Sequence, residues 1–332
     1  MGKELKLEMK QSESDDMQAT AKKVSSASVI IVAKRAEKTI GTTIGSLISQ
    51  THPPEEIILV VDSLDDPTVE VATRFPVKVA VSKKGGIGAA RREGVSAATK
   101  DIIVFTDSDC RADNQWLERI IKVFRNRDDV FVQAGRNVTF GTGREHPTGS
   151  EEGKDVWFNF APTMNFAFRR SVVEKVGNFD PYFTEGGEDM DFSIRLKKNG
   201  YRILYNPNAL IFHMESGNLT KKAVRDGKTR AKNFRKHKTS TIGAAIVAFF
   251  HSFCLLAFIF LLILGFYLIA LIVIIPSLLH RTHTAVHNLR IGKGMKYTTR
   301  GFVFAYLSNL SFLVHIIALT IGPSPKAAGS LE

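Results

Sequence analysis

Residues 241–279 read TIGAAIVAFFHSFCLLAFIFLLILGFYLIALIVIIPSLL, a run without a single Lys, Arg, Asp or Glu. About 20 residues of helix cross a bilayer core, and this run approaches twice that length. A single straight helix would overshoot the hydrocarbon. Basic clusters flank the run on both sides: residues 221–238 carry nine Lys/Arg against one acid, and residues 280–300 carry five and none. Such clusters stay on the cytoplasmic face. A two-pass hairpin turning near residues 264–267 puts both there; one long tilted helix is the competing reading. A second apolar stretch, GFVFAYLSNLSFLVHIIALTIG at 301–322, predicts a further span. Its Asn309 and His315 are expected to face other helices rather than lipid. Three passes would leave residues 323–332 outside.

The two basic segments contribute +8 and +5 to a formal net charge of +12, so the rest of the chain sums to about −1. Positive charge gathered beside apolar segments points to anionic membrane lipids as a partner and away from nucleic acid. Cys110 and Cys254 sit in unlike surroundings and make no disulfide framework, which fits a reducing compartment. Residues 1–24 are polar, of mixed charge and without an apolar signal segment, and read as a solvated tail. The expected location is the cell membrane, multi-pass, with the soluble domain in the cytoplasm. There the acceptor triplets at Asn137 and Asn218 stay unglycosylated.

Residues 25–218 have another texture. Apolar runs SVIIVA, EIILVV, VKVAVS and IIVFTD recur, separated by helix-like segments such as KTIGTTIGSLISQ, with Ile40, Ile44, Leu47 and Ile48 on one face. Strand–helix alternation predicts an α/β fold, a mostly parallel sheet with helices on both faces. Ligands of such sheets bind beyond the carboxyl ends of the strands. Asp62 and the pair Asp107/Asp109 fall on that edge. The expected division is a domain at 25–218, a basic juxtamembrane segment at 219–240, apolar helices at 241–279 and 301–322, and a basic segment at 280–300 between them.

Asp107 and Asp109, in IIVFTDSDCRAD, can reach one hard divalent cation from a turn leaving a strand. Helix capping is the plainer alternative for this segment, with Asp113 or Asn114 as N-cap. In YFTEGGEDMDFSIRLKKNGYRI, Glu188, Asp189 and Asp191 gather at a predicted helix start, and Gly200 closes the helix. Acids there meet the helix dipole favourably, yet three of them exceed capping needs. A carboxylate beside a metal site is a candidate general base. His213, at the end of ALIFH, is either structural or a further ligand.

With these motifs on the page, the stretch from about 25 to 216 resembles the inverting nucleotide-sugar glycosyltransferases of family 2, which have a GT-A-type, Rossmann-like fold. The motifs follow in family order: SVIIVAKRAEKTI, EIILVVDSLDDPTVEVA, KGGIGAARREG, IIVFTDSDCRAD, NFAFRRSVVEKVGNFDPYF, GGEDMDFSIRLKKNGYRI and a strand ending in His213. The resemblance implies a nucleotide-sugar donor held by Glu37, Asp62, Arg91 and Asp107. It implies Mg²⁺ or Mn²⁺ on Asp109 and His213, and Asp189 as catalytic base. On the acceptor side it implies Trp157, with Phe158 beside it, Glu188 and Asp191, the two acids serving either the acceptor or the helix cap.

Two departures stand out: Lys34-Arg35 precede Ala36-Glu37 after the first strand, and the DSLDDPT loop is a residue short, so Asp65 or Asp66 can share the role of Asp62. GGIGAAR does not read as a dinucleotide fingerprint. Polyprenyl-phosphate sugar synthases of the same family attack with a phosphate oxygen that needs no base. The Glu-Asp motif and the apolar helices therefore favour a hydroxyl acceptor on a lipid-linked saccharide or glycolipid. A polyprenyl-phosphate synthase and a non-catalytic nucleotide-sugar-binding scaffold are the alternatives.

Overall fold

The computed structural model describes residues 26–139, 144–146, 155–214, 219–290 and 295–321. The tails at 1–24 and 323–332 and the triplet beginning at Asn218 lie outside the described residues. The four apolar runs form β1 (Ala27–Val32), β2 (Glu56–Val61), β3 (Lys78–Val81) and β4 (Ile102–Asp107). They pair in parallel in the order β3-β2-β1-β4.

These strands are apolar without alternation because both faces of the sheet are covered. Val29, Ile31, Leu59 and Val104 pack under α1 (Ile40–Ile48), α2 (Pro67–Ala72) and α4 (Trp116–Asn126). Ile30, Ile58, Val60, Ile103 and Phe105 face α3 (Ile87–Ala97), α5 (Ser171–Val176) and α6 (Glu188–Lys198). Gly200, φ +79°, follows the end of α6 as its sequence predicts.

The remaining strands are β5 (Cys110–Ala112), β6 (Val132–Thr139), β7 (Arg144–His146), β8 (Trp157–Phe158), β9 (Asn165–Arg169) and β10 (Ile203–His213). The sheet continues from β4 as β9-β6-β10-β5. β9 is antiparallel to both β4 and β6, and β10 is parallel to β6. Strands β4, β6 and β10 consequently point the same way, and Asp107 and His213 end on one edge. A buried amide fixes this half of the sheet: Asn165 accepts from Trp116 Nε1 (2.9 Å) and donates to the carbonyls of Arg136 (3.0 Å) and Ala209 (2.9 Å).

Four helices follow: α7 (Leu219–Lys236), α8 (Lys238–Ile263), α9 (Tyr267–Arg290) and α10 (Met295–Ile321). α8 ends where the chain was expected to turn. Gly265, φ +80°, donates to Leu262 O, and Phe266 donates to Leu261 O, a left-handed closure that a side chain at 265 would strain. His251 Nδ1 and Ser277 Oγ meet at 2.7 Å across α8 and α9, and Ser277 Oγ meets Tyr306 of α10 at 2.6 Å. Residues 251 and 277 lie equally far from the turn, so α8 and α9 form an antiparallel hairpin. Among the described residues, Thr241–Ile263 is long and apolar enough to cross a membrane by length and composition. Tyr267–His280 and Phe304–Ala318 are shorter apolar stretches.

The basic segment is not a free surface helix. Lys228, Lys232 and Lys236, one turn apart on α7, reach Glu185 (2.5 Å), Tyr182 O with Thr184 Oγ1 (both 3.3 Å), and Asp180 (2.5 Å). On its other side Arg230 donates to Asn309 Oδ1 (2.9 Å), so Asn309 faces a neighbouring helix. The expectation that this basic stripe meets anionic lipid is corrected for these three lysines, whose ammonium groups bind the α/β domain instead.

Candidate active site

Three strand ends and one helix start converge on the carboxyl edge. Asp62 follows β2, and the Lys34 ammonium lies 2.9 Å from it. The departure at Lys34-Arg35 thus supplies a counter-charge to the predicted nucleotide acid. Asp66 caps α2, accepting from Thr68 N (2.9 Å) and Arg35 N (3.0 Å). Its oxygens are committed to the loop, which leaves Asp62 and Asp65 as the available acids there. Glu37 lies in the loop after β1, and its Oε2 is buried without a hydrogen-bond partner among the described residues. An orphaned buried acceptor of this kind calls for a donor from outside the chain.

Asp107 closes β4 beside the buried Arg91 of α3, whose guanidinium is 3.7 Å away. Arg91 also forms an ion pair with Glu188 at the start of α6. Partial burial pushes the Asp107 carboxyl up, against the pull of Arg91. Burial likewise raises Asp189, and the nearby Arg91 charge and the amide of Met190, which donates to it at 2.7 Å, only partly offset this. Arg91 therefore joins the Asp-x-Asp strand to the helix that carries Asp189.

The turn after β4 is held by Thr43 Oγ1, which donates to Ser108 O at 2.9 Å. Strand β5 then pairs with β10 so that Cys110 stands opposite His213. His213 Nε2 lies 3.4 Å from Asp109 Oδ1, and this carboxylate, with burial opposing it, raises the imidazole above its ordinary value. Ligand atoms of Asp109, Cys110 and His213 lie within 4.8 Å of one another. Burial, reinforced by the two aspartates, pushes the Cys110 thiol far up, so its sulfur stays protonated. A carboxylate oxygen and an imidazole nitrogen, both reached by solvent, fit Mn²⁺ or Mg²⁺. Cys110 is a packed neighbour of that donor pair.

Two predicted acceptor residues are elsewhere or otherwise engaged. Trp157 pairs with Leu204 near the start of β10, six steps of the neighbouring strand β6 and about 20 Å from His213. The Arg202 guanidinium lies over its ring at 4.4 Å, and Phe158 packs on Tyr205. The acceptor role for Trp157 is corrected: β8 attaches to the opposite edge of the sheet. Asp191 is fully buried and binds Arg195 (2.8 Å), Lys236 (2.6 Å) and His237 (2.7 Å). It clasps α7 to α6 and has no face toward a sugar. Burial would raise its carboxyl, but the hydrogen bond from His237 and the charges of Arg195 and Lys236 bring it down to about 2. Gly187 makes the close approach possible. Its φ is +89°, and a Cβ there would meet Asn233 Nδ2 at 2.8 Å, the same amide that donates to Gly187 O. His237 and Lys236 are the partners sequence reasoning missed; they lie some 45 positions from Asp191, with no local signal linking them.

The chain is similar in sequence and fold to known proteins. Residues 28–185 match the profile of glycosyl transferase family 2. Glycosyltransferase AglE of Haloferax volcanii is 30% identical over 220 residues, covering 60% of this chain and 71% of that protein. The chain belongs to glycosyl transferase family 2. A second relative is the glucosyl-dolichyl phosphate glucuronosyltransferase of Haloferax volcanii, 24% identical over 215 residues, 56% of this chain and 68% of that one. The chain spans about half the length of two further relatives, among them the probable glycosyltransferase YdaM of Bacillus subtilis. S. aureus TarS 1-349, solved in complex with UDP-GlcNAc, shares the fold with TM-score 0.51 and 17% identity over 63% of this chain and 66% of that one. The family 2 chain has the mixed, mostly parallel GT-A-like sheet expected from its sequence.

Proposed function

We propose that this glycosyltransferase moves a sugar, with inversion, from a nucleoside-diphosphate sugar to a hydroxyl of a lipid-linked saccharide or glycolipid at the cytoplasmic face of the cell membrane, where its apolar helices anchor it. The observation that carries the reading is one buried cation between the two acidic motifs. Arg91 lies 3.7 Å from Asp107 and pairs with Glu188, whose neighbour Asp189 has its carboxyl raised by burial. A carboxyl raised by burial is a stronger base once ionised, which suits removal of a hydroxyl proton.

In this reading Glu37, Asp62 and Arg91 bind the nucleotide. Asp109 and His213 would hold Mg²⁺ or Mn²⁺, which when bound supplies charge stabilisation to the leaving diphosphate. Asp189 takes the proton of the acceptor hydroxyl as that oxygen bonds to the anomeric carbon. The nucleoside diphosphate departs with the electron pair of the broken bond. The name of the glucuronosyltransferase relative, which acts on glucosyl-dolichyl phosphate, supports a lipid-linked saccharide as acceptor, as does the apolar helix Thr241–Ile263.

The test is Asp189→Asn, assayed by sugar transfer from a panel of nucleotide sugars to membrane lipid extracts. Turnover is expected to drop by about 10²–10⁴-fold while nucleotide binding stays intact. Undiminished transfer by this variant, above all to a bare prenyl phosphate, would overturn the hydroxyl-acceptor reading.

A further inference from the structure

A cavity of about 560 Å³ opens between the loop before α6, the first turns of α7 and the later part of α10. Lys221, Arg225, Lys228, Glu185, Val224 and His315 line it. Among the described lining residues, three cationic side chains stand with one carboxylate. Glu185 is already matched, by Lys228 at 2.5 Å. Nothing in the catalytic chemistry described above uses this cavity.

Its surroundings are apolar on one flank and catalytic on the other. Val224 is 45% exposed, and Val314 and Ile317, on the same helix as His315, are more than half exposed. On the other flank Glu185 precedes Asp189 by four residues, so the cavity wall is at most about 14 Å of chain from the proposed base. Such a lining suits a ligand that carries negative charge and has an aliphatic portion beside it.

We propose that this cavity binds the phosphate of a prenyl phosphate- or diphosphate-linked saccharide, the acceptor substrate. Arg225 and Lys221 hold the phosphate oxygens by charge-assisted hydrogen bonds. The first isoprene units lie along Val224 and Val314, and the saccharide projects past Glu185 to the site of transfer. The inference rests on the acceptor class proposed above and adds where that acceptor's charged linker is read.

The test uses the full chain in phosphatidylcholine nanodiscs, with geranylgeranyl diphosphate as probe against geranylgeraniol and inorganic pyrophosphate. The diphosphate lipid is expected to bind at least about tenfold more tightly than either fragment. Arg225→Gln should weaken it about tenfold, and Arg225→Lys should recover most of the loss, with nucleotide binding as the check that the variants fold. Equal binding of the alcohol, equal binding of free pyrophosphate, or wild-type binding by Arg225→Gln would each overturn the site. The two proposals fail separately. Phosphate-dependent lipid binding without transfer to any hydroxyl sinks the transfer reading and keeps the cavity. Transfer to a lipid-linked saccharide by Arg225→Gln at the wild-type KM does the reverse.

Discussion

Replacing Arg91 by Met tests whether the bridge between the two acidic motifs is a self-contained buried pair. The Arg91 side chain is 6% exposed and its partner Glu188 is 2% exposed. Met fills the space of the aliphatic stem but leaves Glu188 as a buried carboxylate without a counter-charge, which costs about 3–5 kcal/mol. Asp107 also loses a neighbour, but its carboxylate is 36% exposed and water takes over much of that solvation. For a domain of this size each kcal/mol moves the midpoint by about 2–4 °C, so Arg91→Met should melt about 6–20 °C below the parent. The double variant Arg91→Met/Glu188→Met removes both charges and should recover to within about 3 °C, since well-packed apolar replacements of a buried pair are often neutral. Thermal unfolding in detergent, followed by nucleotide binding and turnover at 25 °C, reads both consequences. The double variant should be stable yet inactive, because the cation beside Asp107 and Asp189 is gone. If it melts as low as Arg91→Met, Glu188 has other obligations and the reasoning is wrong. Full activity in the stable double variant would separate Arg91 from the donor site.

Two further outcomes follow from the site. Asp191 carries a carboxyl brought down to about 2 by His237, Arg195 and Lys236, so the folded state favours its ionised form. The linkage contributes about 2 kcal/mol, fully present above about pH 4 and lost as pH falls toward 2. Acid unfolding of the full chain should show this limb, and Asp191→Asn should flatten it. A limb of unchanged steepness would mean that the clasp does not set acid stability. For the metal, Mn²⁺ binding followed by electron paramagnetic resonance should be lost in Asp109→Ala and weakened at least about tenfold in His213→Ala, since losing even an outer-shell partner costs that much. Cys110→Ser should leave it intact, and loss of binding there would make the sulfur a ligand.

The strands were legible because their covered faces demand uninterrupted apolar runs, and all four appear within a residue of their patterns. The edge carrying Asp62, Asp107 and Asp109 followed from that register alone. His213 was ambiguous by itself; what resolves its position is β5, a three-residue strand too short to carry a pattern, which brings Cys110 and Asp109 beside it. Trp157 was misplaced because WF reads equally well as a sugar platform or as core packing, and only the pairing with Leu204 decides. Glu188 and Asp191 looked like one acidic cluster with Asp189. Their separation into three roles depends on Arg91, Lys236 and His237, which are remote in sequence and meet only when α7 packs on α6.

That packing also changes the meaning of the charge pattern. Nine basic residues beside an apolar run suggest a helix lying flat on anionic lipid, and the count alone cannot distinguish lipid phosphates from carboxylates of the same chain. Spacing can: Lys228, Lys232 and Lys236 repeat every fourth residue, one stripe on a helix, and the groups they meet, Glu185, Tyr182 O with Thr184 Oγ1, Asp180 and Asp191, lie in the segment leading into the Asp189 helix or in its first turn. The stripe is therefore committed inside the protein, and Lys221 and Arg225, which line the cavity, are on the turns before it. One helix thus ties the helix that carries Asp189 to the apolar helices through Asp191 and Arg230, and its opening residues line the cavity. In the proposed function this coupling matters, because the proposed base, Asp189, is useful only if a lipid-borne hydroxyl arrives at a fixed height beside it.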